Sequence, residues 1–369
     1  MAKFIFASTR DSDMRYAVKV NIPSSFFYLE KGKKKYVFLN RLDFGIFSFR
    51  RSNFFQIPLE PLAQEAQKLT FETSDRNKIA YLILKKYRLL DKKVEISTHF
   101  PLDMADFLRT HGAKLTPTFP LFPERAQKTK EEIRFIQESL NQTKKAFRLI
   151  EDILRRSRIK NSRIYFQNKI LTSEFLKEVV EKALFEKGML APLGMIISSG
   201  AQTAIPHHPG RGPILPHRPI ICDIFPRHRK TGYFADMTRT YVKGKASPEI
   251  EKIYAAVVKT QKEVMKRIRP GISAQEIQAL ASEIVLKEGY SVGEEGLIHG
   301  LGHGIGLDIH EKPSLKLLAK DVLEEGNVIT VEPGLYYPQV GGVRIEDVVL
   351  VTKTGNQNLT NYPKKLVIP

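Results

Sequence analysis

Apolar positions along this chain recur at a helical period in some stretches and a strand period in others, and the alternation outlines its organisation. From about 124 to 157, Ile133, Ile136, Leu140, Phe147, Ile150 and Leu154 fall on one side of a 3.6-residue repeat, which predicts a long amphipathic helix. A second helix is expected from the cap-like Thr172-Ser173-Glu174 to just before Gly188. Strand-like runs follow over about 194–242. The order then recurs, with helices over 247–268 and 273–288 and strands over about 295–352. No clear sequence repeat accompanies it, so the likeness of the halves lies in element order alone. It predicts a sheet core with helices on its outer face and a site between the halves.

The first third reads differently. KKYVFLNRLDFGIFSF (34–49) is rich in β-branched and aromatic residues, whereas RNKIAYLILKKYRLL (76–90) has helical periodicity. Between 115 and 127, Pro117, Pro120 and Pro123 cannot continue a helix, and the stretch reads as a linker. The expected division is residues 1–120 and 125–369, in an α+β chain.

Composition narrows the class. At 369 residues the chain is long enough for two or three domains and a substantial core. The single cysteine, Cys222, excludes a disulfide framework and fits a reducing compartment, so a cytoplasmic location is expected. MAKFIFASTRDSDM lacks a long apolar core and no run reaches 18 apolar residues; neither a signal peptide nor a membrane partner is expected. The net charge of +19 would draw nucleic acid non-specifically. The basic residues are nevertheless spread through runs such as KKYRLLDKK and VKTQKEVMKRIR, which read as solvated helix faces. Nucleic acid is therefore not the expected partner.

Candidate chemistry concentrates in four segments: CDIFPRHRKTGYFADMTRT (222–240), HGLGHGIGLDIHE (299–311), TVEPGLY (330–336) and GGVRIED (341–347). They supply Asp223, Asp236, His303, Glu332 and Glu346. Four carboxylates and an imidazole suit Mn²⁺, Co²⁺, Fe²⁺ or Zn²⁺ rather than a thiolate-type structural site. Two divalent ions would also cancel the four negative charges, which buried alone would repel one another. The runs PIICD and GYFADMTRTYV around the turn-like 227–232 predict a β-hairpin with both Asp side chains on one face. Glycines at 300, 302, 304 and 306 allow close backbone approach to a ligand, and His299, His303 and His310 accompany them. Alternation in VRIEDVV puts Arg344 and Glu346 on one face. Cys222 should be a small buried strand residue pointing away from Asp223.

Those four segments resemble the motifs of the metal-dependent pita-bread peptidases of family M24, which include methionine aminopeptidase, Xaa-Pro aminopeptidase and Xaa-Pro dipeptidase. The likeness covers roughly 125–369, and the first ~120 residues resemble the N-terminal, creatinase-like α/β domain of the proline-specific branch. The resemblance implies a pseudo-two-fold pita-bread catalytic domain and two divalent ions, manganese first. Asp223 would hold one ion, Asp236 and Glu346 would bridge the pair, and His303 and Glu332 would complete it. His207, in SSGAQTAIPHH, would contact the substrate, with His208 leaving the register open by one. His310 would contact the substrate carbonyl. His299 would stand behind the ligands, and Arg344 would support the bridging carboxylate or the substrate. A water activated between the ions would attack the scissile carbonyl, with Glu332 passing the proton to the leaving nitrogen. The substrate implied is a peptide with proline second. Xaa-Pro aminopeptidase is the first expectation, with Xaa-Pro dipeptidase as the alternative and methionine aminopeptidase or a non-catalytic binding protein behind it. A homodimer is the assembly implied. One departure stands out: Asp223 and Asp236 are thirteen residues apart, two more than the family's usual spacing, and Phe225 replaces its glycine. An even insertion keeps both Asp on their faces, so its effect should fall on the rim of the site.

Overall fold

The computed structural model describes residues 2–46 and 53–369. The chain falls into two compact units, Met1–Pro123 and Glu124–Pro369.

In the first unit, six strands among the described residues form one sheet. Their order is Phe54–Pro58, Lys34–Leu39, Phe26–Lys31, Ala2–Ala7, Lys93–Ser97 and Lys114–Thr118. The first half of the 34–49 run is thus a strand; positions 47–49 lie outside the described residues. The helical run settles as Asp75–Lys86. The proline-rich stretch departs from the linker expectation. Lys114–Thr118 is the edge strand, parallel to Lys93–Ser97, with Pro117 opposite Ile96. An edge strand tolerates proline because one row of its backbone groups has no ladder partner. Leu121 and Phe122 are buried in the same unit's core beside Met14, Ile22 and Tyr28.

The second unit has the two-half order expected. Thr129 and Glu132 form a reciprocal capping box that starts the long helix at Lys130–Arg156, later than periodicity alone suggested. The helix Ser173–Glu186, capped by Thr172, packs with it over a sheet of Ile196–Ser199, Pro219–Asp223, Thr238–Lys243 and Val367–Ile368. In the other half, Pro248–Arg267 and Ala274–Lys287 cover a sheet of Glu311–Leu315, Gly302–Gly304, Val328–Val331, Asp347–Thr352 and Gly355–Asn358. Val331, Val349 and Val351 turn toward these helices. Successive strand residues face opposite ways, so neighbours such as Glu332 and Glu346 turn from the helices to the inner face.

The glycines of the 300–306 run serve strand packing. A Cβ on Gly302 would lie 2.1 Å from the Thr330 carbonyl oxygen, and one on Gly304 would lie 2.2 Å from that of Lys312. Both glycines let the short central strand sit tightly between its neighbours. The expected close approach was to a ligand; what the structure places there is backbone.

Candidate metal centre

The hairpin from Pro219 to Lys243 builds the first wall. Asp223 pairs with Thr238, and Ile224 N–H donates to the Met237 carbonyl at 3.0 Å. Asp236 therefore lies diagonally across from Asp223 on the same face. Cys222 pairs with Arg239 and points the other way, into the apolar core, where burial pushes its thiol far up. The longer tip is held in place: Arg227 and His228 pair with Leu190 and Met189, and the turn closes between His228 and Tyr233. Phe225, on the face of Asp223, packs on Ile196, Ile221 and Tyr336.

The second wall comes from three other segments. One ligand atom each from Asp236, His303 and Glu346 lies within 4.8 Å of the other two. His303 Nε2 is 3.4 Å from Glu332 Oε1 and 3.8 Å from Asp236 Oδ2. His303 Nδ1 faces the Gly304 carbonyl at 3.2 Å. A carbonyl only accepts, so Nδ1 carries the proton and Nε2 turns its lone pair to the carboxylates, as a ligating imidazole requires. Burial, followed by His310, pulls His303 down to about 3 and keeps it neutral.

Hydroxyls fix the carboxylates. Thr238 donates to Glu346 at 2.9 Å, and Thr330 donates to Glu332 at 3.4 Å while accepting from His303 N–H at 3.0 Å. Arg344 holds Asp223 rather than Glu346: its guanidinium donates to Asp223 Oδ2 at 2.8 Å, to the Tyr336 hydroxyl at 2.7 Å and to the Pro206 carbonyl at 3.2 Å. Tyr336 lies 2.9 Å from His299 Nε2, and His299 Nδ1 lies 2.8 Å from the Gly300 carbonyl. By the same reasoning, His299 is a neutral acceptor for Tyr336, and burial brings it down to about 4. His299 thus stands behind Arg344 and Asp223. His310 packs edge-on against His303 with ring centres 4.2 Å apart. His208, next to His207, is turned to its own loop: its Nδ1 accepts from Gly210 N–H at 3.0 Å. The loop bearing His310 is clamped from behind, with Arg125 on Asp308 and Glu311 (2.7 Å each) and Lys128 on Glu311 (2.6 Å). Sequence reasoning passed over Thr238, Thr330, Tyr336 and this clamp. Thr238 and Tyr336 do share strand parity with Asp236 and Glu332, a signal open to any period-2 reading.

These residues fit divalent cations. Asp223 Oδ1 and Asp236 Oδ1 are buried with no hydrogen-bond partner. Burial, followed by the neighbouring carboxylates, raises Asp236 and Glu346 well above their ordinary range. Burial also lifts Glu332 to about 7, with Arg344 opposing and Asp223 adding to the rise. Raised folded-state values favour the protonated site, so the stability they contribute is full below the ordinary carboxylate range and is lost as pH rises through about 7 for Glu332. A cation must displace those protons. Calorimetric titration of the chelator-treated protein with Mn²⁺ should therefore show proton release at pH 6, read from buffers of different ionisation heat. The release should shrink and the affinity rise by pH 8; binding at pH 6 without proton release would contradict this electrostatic account.

Comparison with known proteins agrees with the geometry. The description of metallopeptidase family M24 matches residues 134–353. The Xaa-Pro dipeptidase of Pyrococcus horikoshii is 38% identical over 178 residues, covering 47% of this chain and 48% of the relative. That of Pyrococcus furiosus is 35% identical over 249 residues, covering 65% of this chain and 64% of the relative. The aligned stretch thus spans about half to two thirds of these relatives. Among solved structures, the Xaa-Pro dipeptidase from Bacillus anthracis superposes with a TM-score of 0.82 at 25% identity, covering 100% of this chain and 95% of that one.

Proposed function

We propose that this chain, which belongs to metallopeptidase family M24 and has its pita-bread fold, hydrolyses the bond between an N-terminal residue and a following proline. The observation that carries the reading is the cluster itself: Asp236, His303 and Glu346 with ligand atoms within 4.8 Å of one another, Glu332 beside His303, and Asp223 Oδ1 and Asp236 Oδ1 buried without a hydrogen-bond partner. Asp223, Asp236, His303, Glu332 and Glu346 would hold two divalent ions, and the oxygen-rich set suits manganese. Bound there, the ions would supply a nucleophilic hydroxide near neutral pH and polarise the scissile carbonyl.

The chain's own groups would do the rest. His310 is held down by burial, and as a neutral imidazole it can donate a hydrogen bond to the substrate carbonyl oxygen. Glu332, fixed by the Thr330 hydroxyl, would pass the proton released by the attacking water to the proline ring nitrogen as that atom leaves. Arg344, committed to Asp223 and Tyr336, orients a ligand rather than gripping a substrate. His207 extends the site on the outer side. The relatives named above are Xaa-Pro dipeptidases, and dipeptidase activity fits at least as well as the aminopeptidase expected first.

The test is a peptide panel given to metal-stripped protein with and without Mn²⁺: Ala-Pro, Ala-Pro-Ala and Met-Ala-Ser. Mn²⁺-dependent release of alanine from either proline peptide supports the reading. Cleavage of Met-Ala-Ser alone, or of none, would overturn it.

A further inference from the structure

His310 lacks what fixes its neighbours in the site. His303, Glu332 and Glu346 are each held by a hydrogen bond from an adjoining group. His310 is exposed, and its imidazole makes no hydrogen bond among the described residues. Strand pairing gives out at the same place: His303 pairs with Ser314 but Gly304 with Glu311, so the register slips past Lys312 and Pro313. The His310 ring nevertheless stands edge-on to His303, centres 4.2 Å apart. Something other than its own bonds must set it there.

The carboxylate of the next residue does so. Glu311 is nearly buried and both its oxygens are taken. The Lys128 ammonium lies 2.6 Å from Oε1, the Arg125 guanidinium lies 2.7 Å from Oε2, and Asp308 N–H donates to Oε2 at 3.4 Å. Arg125 also holds Asp308 at 2.7 Å, so two cations face two carboxylates and no charge is left for a bound ion to cancel. The loop is wound around this carboxylate. Gly306 N–H donates to the Asp308 carbonyl at 3.0 Å, and a Cβ on Gly306 would lie 2.4 Å from Glu311 Oε1, so only a bare glycine lets the backbone pass. The cations in turn stand on fixed backbone. Lys128 N–H donates to the Gly326 carbonyl at 2.8 Å, the Asn327 amide holds the Ala126 carbonyl at 3.0 Å, and Thr129 caps the long helix.

Buried ion pairs are a weak source of stability, because desolvation offsets their attraction and apolar side chains of the same volume often serve as well. What charged hydrogen bonds do provide is a fixed geometry. We propose that Glu311 is a positioning residue: held by Arg125 and Lys128, it sets His310 where its imidazole meets the substrate carbonyl. The inference rests on the role given to His310 above and adds the group that acts through it.

The test is a double-variant cycle on the Mn²⁺-loaded protein, with whichever of Ala-Pro and Ala-Pro-Ala it cleaves faster. Glu311→Gln keeps the shape but sets an amide nitrogen against one of the two cations. It should lower kcat by about tenfold to a hundredfold, the scale of misplacing a reacting group by about 1 Å, while KM stays within about twofold. Mn²⁺ affinity, read by calorimetry, should not change, which separates an effect through His310 from one through His303. With His310→Asn already made, Glu311→Gln should lower kcat by less than about twofold further, because nothing is left to position. Lys128→Met leaves Glu311 on Arg125 and strands no buried charge; it gives the same cycle with a smaller first loss should Glu311→Gln fail to fold. A kcat loss as large beside His310→Asn as in the wild type, or one that follows weaker Mn²⁺ binding, overturns the positioning role and leaves Xaa-Pro hydrolysis standing. Full turnover by His310→Asn overturns the role of His310 and this inference with it. Failure of the wild type to cleave either peptide overturns the Xaa-Pro reading as well.

Discussion

Asp236→Asn is expected to abolish peptide hydrolysis and, in the metal-free state, to make the protein more stable. Asp236 is almost fully buried; its Oδ1 has no partner, and Glu346, Asp223 and Glu332 all disfavour its charge after burial has done so. The amide keeps the shape, removes the charge and relieves an unsatisfied acceptor, which is worth on the order of 1 kcal/mol. With divalent ions the sign reverses, because the wild type gains binding energy that the variant has lost. Activity should fall by roughly 1,000-fold or more, as expected when several kcal/mol of transition-state stabilisation disappears. Denaturant unfolding of chelator-treated and Mn²⁺-loaded samples, beside Ala-Pro turnover, reads both effects. A metal-free variant less stable than the wild type would mean that the apo carboxylates are not mutually strained. Activity near wild type would remove Asp236 from the site.

The same opposition between function and stability explains what the sequence disclosed and what it withheld. Ligand candidates stood out because buried carboxylates are costly without a counter-charge, so each is embedded in apolar runs such as PIICD and VIT. Helix starts were legible where caps are local, as at Thr172; the capping box at Thr129 and Glu132 is equally local but lay inside a run assigned to helix on period alone. The 115–127 stretch misled because proline marks a break in a helix and in a central strand alike, and only the three-dimensional pairing shows that Lys114–Thr118 lies at an edge. The glycines of 300–306 looked like ligand-approach positions because sequence shows that backbone comes close but not to what. Partner choice was least visible of all. Arg344 shares a face with Glu346 yet bonds Asp223, far away in sequence, because the hairpin's inner face lies against that strand.

Nothing in the sequence pointed to Arg239 and Asp347, and their disruption should have the largest effect on stability. Both side chains are fully buried, with Arg239 Nη2 2.7 Å from Asp347 Oδ1. Alternation explains why they escaped notice: each adjoins a site residue, Thr238 or Glu346, but points to the opposite face. The strands Thr238–Lys243 and Asp347–Thr352 belong to different sheets, and this pair joins them behind the carboxylates. Arg239 also donates to the Thr238 carbonyl at 2.8 Å and the Glu346 carbonyl at 2.7 Å. These are the two residues whose side chains bond each other in the site. Asp347 accepts further bonds from Lys364 at 2.6 Å and Asn358 at 2.9 Å. Burial alone would raise Asp347, but Arg239 and Lys364 outweigh it and hold the carboxyl below its ordinary range. The stability it contributes is thus present above the ordinary aspartate value and lost as pH falls through the folded one.

Asp347→Ala should cost about 3–5 kcal/mol, because it strands a buried guanidinium; Arg239→Met should cost less, because Lys364 and Asn358 still hold the carboxylate. The paired replacement Arg239→Met with Asp347→Leu should recover much of the loss, since the one charge it leaves without its partner, Lys364, still reaches solvent. Denaturant unfolding of the four proteins at pH 7 closes the cycle, and additive losses would mean the two side chains do not act as a pair. Mn²⁺ affinity separates packing from positioning. If the Arg239 donors hold Thr238 and Glu346 in register, the double variant should remain weakened in Mn²⁺ binding even where its stability has returned.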